Sequence, residues 1–289
     1  MSRSGSAMPP LPPDSASKPS AQQVFTDIYR HAKWGRNSQG AGASGWGSRL
    51  RATLIYRTFL QQFMKDNHIR SVVDAGCGDW EFSQALDWSG IDYKGFDIVE
   101  SNIVHHRLKH AKPNIQFFLG NFVELELPPA DLLICKHVLQ HLPTQDVQTF
   151  LTQVPKYKHT LLTNGVNANT MTAQNLDIAV GGYRQLDPTA PPFNLPGTKV
   201  LTYWDGYYMN QVVHIGSKTR DALLLRPVEG TNTFTEGDVR ARLESHGFRD
   251  ITDLKLGRNG IWLGKAQMDE WAVEVVLDSR GNIFQRNVS

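Results

Sequence analysis

The stretch Ser71-Val-Val-Asp-Ala-Gly-Cys-Gly-Asp-Trp-Glu-Phe-Ser83 carries the residue types best suited to holding a reactive ligand. An apolar run ends in the acidic Asp74, and Gly76 and Gly78 then permit a tight turn in which backbone can approach a ligand closely. A helix is expected to open at about Trp80, which makes the segment a strand-turn-helix cradle for a nucleotide or nucleoside. Asp97 ends the next apolar run, 19 residues beyond Gly78. That spacing suits a carboxylate accepting both hydroxyls of a ribose, because two vicinal donors are matched by two acceptor oxygens. Dinucleotide binding by such a turn asks for a third glycine at position 81, where helix and strand would pack beside a pyrophosphate, and the chain has Glu81 there. The pattern favours a ligand without pyrophosphate and disfavours an NAD-dependent oxidoreductase.

His137 and His141 stand four apart and would share one helix face if Lys136 to Leu142 were helical. A zinc-peptidase pair would need a glutamate at position 138, which is Val138, and Pro143 limits the helix, so no metal site is expected. Near the end of a strand, either histidine could act as a general base for a hydroxyl or amine, with packing at a helix start as the plain alternative. Tyr183 and Arg184 lie in a glycine-flanked loop and could orient an anionic or hydroxylated substrate, or simply form a surface turn. Tyr29, Trp34 and Trp46 lie in or beside the glycine-rich run Gly35 to Ser48, which suits a lid that moves and still buries area, or a loop anchored by core aromatics. The basic run His105-His-Arg-Leu-Lys-His110 with Lys112 is expected to be a solvated helix face rather than a nucleic-acid patch.

Several short segments must position these residues. Ser71–Asp74, Tyr93–Phe96, Ile115–Leu119, Asp131–Cys135 and Thr160–Thr163 read as strands, with helical periodicity at Phe25–Trp34, Leu50–Met64 and Gln145–Lys156. Repeated strand-helix alternation predicts a doubly wound α/β fold with a parallel sheet. After about Gly216 the character changes. Thr235-Glu-Gly-Asp238 is a capping box, Val239 and Leu243 form one apolar face, and Gly247 stops the helix. Three strands are then expected at Ile251–Leu256, Ile261–Ala266 and Trp271–Leu277, with turns at Arg258-Asn-Gly260, Met268-Asp-Glu270 and Ser279-Arg-Gly281. The expected organisation is a mobile tail over 1–20, an α/β domain over 21–216, a linker over 217–230 and a small α+β domain over 231–289.

Composition narrows the class. The 289 residues are 40% hydrophobic and 20% charged, ordinary globular usage, and 30 Lys+Arg against 28 Asp+Glu leave a net charge of +2, with no footprint for nucleic acid or anionic membrane. There is no apolar run of membrane-spanning length and no secretory signal, and Cys77 and Cys135 sit in strand-like stretches as buried thiols. A cytoplasmic protein is expected.

Val72-Val-Asp-Ala-Gly-Cys-Gly-Asp79, Gly95-Phe-Asp-Ile98 and Asp131-Leu-Leu-Ile-Cys-Lys-His-Val-Leu-Gln-His-Leu-Pro143 resemble the first, second and fourth motifs of class I S-adenosylmethionine-dependent methyltransferases, over roughly residues 24 to 216. The resemblance implies a Rossmann-like methyltransferase sheet and S-adenosylmethionine as cofactor. It implies that the Gly76–Gly78 turn lies against the methionine moiety, that Asp97 holds the ribose and that Asn121-Phe122 flank adenine. Asp74, Asp79, Trp80, Ile98 and Lys136 complete the implied cofactor set, and Tyr29, Trp34, Tyr183 and Arg184 the substrate set. Ile28-Tyr29, Trp34-Gly35 and Ser44–Ser48 are similar to the N-terminal lid of a bacterial and viral subgroup. Gly181–Leu186 with Pro192–Pro196 is similar to its late substrate-side loop. Residues 231 to 287 resemble PepSY-like domains, which implies a binding or interaction module. The resulting expectation is methyl transfer to oxygen or nitrogen of a small molecule, sugar or peptide. The alternative is a non-catalytic methyltransferase-fold scaffold whose C-terminal module binds a protein or peptide.

Overall fold

The structure, a computed structural model, describes residues 19–37, 40–216, 229–245, 248–268, 271–279, 281 and 283–287. Residues 1–18 of the expected tail, 217–228 of the expected linker and the expected helix stop at Gly247 lie outside them. Ser20 belongs to the fold rather than to the tail. Its hydroxyl accepts from the Gln23 amide while the Gln23 side chain accepts from the Ser20 amide, a reciprocal cap that starts helix α1 (Ala21–Arg30). Helix α2 (Leu54–Asp66) buries Tyr56, Phe59, Leu60, Phe63 and Met64, one stripe at helical spacing.

Strands β1 (Ser71–Ala75), β2 (Asp92–Asp97), β3 (Ile115–Leu119), β4 (Leu132–Lys136) and β5 (His159–Gly165) pair with one another in parallel. Strands β6 (Thr198–Trp204) and β7 (Met209–Gly216) complete a seven-stranded sheet in the order β3-β2-β1-β4-β5-β7-β6, with β7 antiparallel to both of its neighbours. Alternate side chains feed two cores. Val72, Leu132 and Ile134 pack with α2 on one face, and Val73, Leu133 and Cys135 pack on the other with Phe25 and Ile28 of α1 and Val147 and Phe150 of helix α4 (Thr144–Leu151). Both cysteines are free and buried. Helix α3 (Glu100–Lys109) leads from β2 to β3 and buries Ile103 and His106. Strand order reverses between β1 and β4, so the crevice beyond their C-terminal ends is where an open α/β sheet binds ligands.

No α-helix opens at Trp80. Trp80 takes a left-handed backbone (φ 56°), and a single 3-10 turn at Ser83–Ala85 follows. The Asp79 carboxylate accepts the Glu81 amide at 3.3 Å, which turns the chain and drops the Trp80 ring into the core, 5.1 Å from Phe117 and 5.7 Å from Tyr93. Strands β6 and β7 were not foreseen. Their signal is a hairpin turn at Asp205-Gly206, where the Asp205 carboxylate accepts the Tyr207 and Tyr208 amides.

The C-terminal region has helix α5 (Glu236–Ser245) and an antiparallel sheet of β8 (Arg249–Leu256), β9 (Trp262–Met268), β10 (Trp271–Leu277) and β11 (Ile283–Asn287), in the order β11-β10-β9-β8. The capping box forms as expected, with Thr235 Oγ1 accepting the Asp238 amide and the Asp238 carboxylate accepting the Thr235 amide. The meander has four strands rather than three, the last lying beyond Gly281. Its core of Val239, Leu243, Phe248 and Trp262 also receives Trp204 from β6. No helix among the described residues is long and apolar enough to cross a membrane.

Candidate active site

The turn after β1 forces glycine twice. Gly76 (φ 85°) faces Val138, whose Cγ2 would stand 2.5 Å from an added Cβ, and at Gly78 (φ 56°) an added Cβ would stand 2.4 Å from the Ser44 hydroxyl oxygen. Asp97, at the end of β2, is 7% exposed, with Oδ2 accepting the Gly78 amide at 2.9 Å and Oδ1 accepting the Val99 amide at 2.8 Å. Each oxygen keeps a further lone pair for an incoming hydroxyl. Burial pushes the Asp97 carboxyl up to about 6, against the pull of the Val99 and Gly78 amides. Asp74, at the end of β1, accepts the Tyr93 hydroxyl at 2.6 Å, and burial raises it to about 7.

These groups open on a cavity at the strand-order reversal. Asp74, Gly76, Gly78 and Asp79 line one wall, and Asp97, Ile98, Asn121 and Phe122 a second. Asn121 caps its own turn, its Oδ1 accepting the Val123 amide at 3.1 Å and its Nδ2 donating to Glu124 at 2.8 Å. Trp80 is in the core and does not line the cavity, a correction to its place in the implied cofactor set.

Helix α1 and the loop after it cover the opening. The Tyr29 hydroxyl is bonded to Ser44 Oγ at 2.5 Å, and Ser44 exchanges bonds with Asp79: the Ser44 amide donates to Asp79 Oδ2 at 2.9 Å, and the Asp79 amide donates to Ser44 Oγ at 2.7 Å. Trp34 rests on the His141 ring at 4.6 Å. Trp46 takes no part in the lining; its indole donates to the Asp205 carbonyl at 3.0 Å. Phe25, one turn before Tyr29 on α1, also lines the cavity, a role its helical spacing to Tyr29 could have signalled.

Beyond β4 the chain turns through His137 (φ 56°) into a 3-10 turn at Leu139–His141, so the two histidines do not share an α-helical face. His137 Nε2 lies 2.7 Å from Asn210 Oδ1, and Asn210 Nδ2 donates to the Tyr208 carbonyl, so the imidazole proton sits on Nε2. Its Nδ1 faces the Lys136 ammonium at 3.3 Å and the Cα of Gly47, where an added Cβ would stand 2.1 Å away. Both nitrogens of His137 are engaged. His141 donates from Nδ1 to the Gly182 carbonyl at 2.6 Å, which leaves the lone pair on Nε2 in a ring that lines the cavity. Burial holds both histidines below the ordinary imidazole value, and the Lys136 charge adds to this for His137. Lys136 is itself buried, donates to the Gly47 carbonyl at 2.5 Å and is pulled down by burial to about 7.

The structure does not bring Arg184 to the cavity. Its guanidinium is buried and donates to the Leu142 carbonyl (2.7 Å), the Leu176 carbonyl (2.8 Å) and Thr144 Oγ1 (2.8 Å), which pins the late loop to the start of α4. Tyr183 lies beside rather than in the lining. It forms part of a row of rings running Trp34, His141, Tyr183, Tyr208, Tyr207 and Trp46, with successive centroids 4.6, 5.9, 5.7, 4.6 and 6.4 Å apart. Tyr183 is 46% exposed and Tyr207 62%, so the row leads from the cavity to solvent.

This wall chemistry matches S-adenosylmethionine. A buried carboxylate with free lone pairs meets a diol, two glycines leave room for close approach, Phe122 offers an apolar surface to a purine, and Asp74 and Asp79 present carboxyls to a cationic ligand.

Residues 72–157 match the family model of a methyltransferase domain. The methyltransferase-domain match spans β1 through α4 and so contains the glycine turn, Asp97 and both candidate histidines. A 1,6-didemethyltoxoflavin-N1-methyltransferase from Burkholderia thailandensis, solved with S-adenosylhomocysteine, is similar with a TM-score of 0.51 at 14% identity, covering 74% of this chain and 94% of that one. A magnesium protoporphyrin IX methyltransferase from Synechocystis solved with S-adenosylmethionine gives a TM-score of 0.48 at 15% identity, over 69% of this chain and 98% of that one. The Burkholderia likeness shows the fold, a seven-stranded sheet of the Rossmann-like methyltransferase type. Among curated proteins, a DeoD-type purine nucleoside phosphorylase from Photorhabdus laumondii is 27% identical over 158 residues, 54% of this chain and 60% of that protein. The chain spans about three-fifths of the length of that curated relative.

Proposed function

We propose that the chain is an S-adenosylmethionine-dependent methyltransferase acting on an oxygen or nitrogen nucleophile of a small molecule, sugar or peptide. The observation that carries the reading is the Asp97 carboxylate, clamped by the Gly78 and Val99 amides at the crevice where strand order reverses. In this reading Asp97 holds the ribose hydroxyls, Phe122 and Ile98 flank the adenine, and Asp74 and Asp79 complement the positive charge.

S-adenosylmethionine supplies a methyl group on a sulfonium, whose transfer depends on alignment and dryness more than on covalent catalysis. The chain's part is therefore positional. The Tyr29–Ser44–Asp79 bonds hold the cover over the cavity and exclude water. His141 receives the acceptor's proton on Nε2, the free lone pair that its bond to Gly182 leaves facing the cavity. His137 is the weaker base, since both of its nitrogens are engaged. The aromatic row from Trp34 to Tyr207 supports a flat or sugar-ring acceptor entering from that side, because ring faces stack on such groups at low ordering cost. The helix-and-meander unit is read as a PepSY-like interaction surface with a sheet edge open to an added strand. The protein is placed in the cytoplasm, where the cofactor is made.

Titration calorimetry of the full-length chain with S-adenosylmethionine, S-adenosylhomocysteine and NAD tests the reading. Micromolar binding of the first two and none of NAD is expected, with Asp97→Ala weakening binding roughly 30-fold or more through lost charge-assisted hydrogen bonds. Absence of binding, or an unchanged affinity in Asp97→Ala, overturns it. Retained cofactor binding without turnover against any acceptor would favour the scaffold alternative.

A further inference from the structure

Outside the cavity, three imidazoles converge at the C-terminal end of α3. The rings of His105, His106 and His110 stand 5.8 Å apart in every pairing, and one nitrogen from each lies within 4.8 Å of the others. None of the three lines the cavity.

His106 decides what this triangle can do. It is 1% exposed, and its Nε2 lies 2.8 Å from the Gly78 carbonyl, which can only accept, so the proton is on Nε2. Nδ1 therefore carries a lone pair. That nitrogen is buried and has no hydrogen-bond partner, an arrangement that costs free energy unless something else satisfies it. A histidine that ligates through one nitrogen and donates from the other to a backbone carbonyl is the usual way protein metal sites fix tautomer and ring orientation. His110 is half-buried, with Trp80 packed 5.0 Å away, and His105 is exposed and free to swing. Tetrahedral coordination by imidazole needs donor nitrogens about 3.3 Å apart, so His105 and His110 must both turn in toward the fixed His106 ring.

We propose that His105, His106 and His110 form a binding site for a divalent transition-metal ion, with zinc as the best-suited species and solvent at the fourth position. Three imidazoles with no carboxylate favour zinc, nickel, cobalt or copper over magnesium or calcium. The ion sits behind the cofactor turn rather than in it. Through the His106 ring it is linked to the Gly78 carbonyl, so occupancy stiffens the turn that carries Gly78 and Asp79. Its role is positional and structural.

The test is calorimetric titration of the metal-free, untagged full-length chain with Zn²⁺, alongside His105→Ala, His110→Ala and His214→Ala. His214 pairs with His159 at 3.1 Å on the far strands and serves as the control histidine. One Zn²⁺ per chain is expected, weakened about tenfold or more in His105→Ala and His110→Ala and unchanged in His214→Ala. Because His105 is exposed, its loss leaves the fold intact and keeps the test decisive. A second readout is quenching of Trp80 fluorescence by Ni²⁺, expected to vanish in Trp80→Phe. No Zn²⁺ binding by the wild-type chain, or equal binding in the His105 and His110 variants, overturns the proposal.

Discussion

Glu81 grips the cover of the site through Arg49: its Oε2 lies 3.0 Å from Arg49 Nη1, and its Oε1 accepts the Leu50 amide at 3.1 Å. The position that argued against a pyrophosphate ligand is thus a latch between the glycine turn and the segment that closes over it. Glu81→Ala should raise the dissociation constant for S-adenosylmethionine several-fold and speed proteolytic nicking between Gly35 and Ser48. The stability loss should be only about 1 kcal/mol, since both partners are partly exposed. Unaltered nicking and affinity would mean that the latch is ornamental.

Asp97 sets a pH dependence whose sign can be worked out. Its folded value near 6 lies above the ordinary carboxylate value of 3.8, so the folded chain holds this proton more tightly than the unfolded chain. Its stabilising contribution is complete below about 4 and is lost as pH rises through 6; Asp74, raised to about 7, acts in the same direction. Ribose binding needs the ionised form, so cofactor affinity should climb from pH 5 to 7 and then level off. Calorimetry across that range should show the rise in wild type and a flat profile in Asp97→Asn.

His141 and His137 should separate kinetically. Removing the base in His141→Ala should lower kcat by about 10²-fold or more while cofactor affinity stays near wild type. The wild-type rate should rise with pH through a value below the ordinary imidazole range, because burial lowers His141, and that limb should disappear in the variant. His137→Ala should instead destabilise the chain, since it leaves the buried Asn210 Oδ1 without its donor and opens space beside Gly47. A melting curve and a pH-rate profile on each variant distinguish the two.

Arg184→Ala should behave as a packing defect rather than a substrate-binding defect. It strips donors from the Leu142 and Leu176 carbonyls and should cost about 2–4 kcal/mol of unfolding free energy. Tyr183→Ala, at an exposed position on the aromatic row, should raise KM for the acceptor with little change in stability. A KM effect confined to Arg184→Ala in denaturation-matched conditions would reverse these roles.

The sequence by itself determined strands β1 to β5 and β8 to β10 and the glycine turn. Apolar runs that alternate two cores, and glycines at positions where φ is positive and a Cβ has no room, are local requirements that residue type alone expresses. Asp97 was legible for the same reason, as a carboxylate at a strand end at a fixed distance from the turn. The tertiary structure decided everything that depends on which groups meet. Arg184 and Trp80 carry suitable side chains, yet packing directs one to backbone carbonyls and the other into the core. The two histidines of the fourth motif look equivalent in sequence and differ because Asn210 reaches one and Gly182 the other from elsewhere in the chain. A basic run that reads as a solvated face turns His106 inward, because α3 packs that side against the glycine turn. Partners brought from 28 to 73 residues away cannot be read from local pattern, and hydrogen bonding and burial act on those partners.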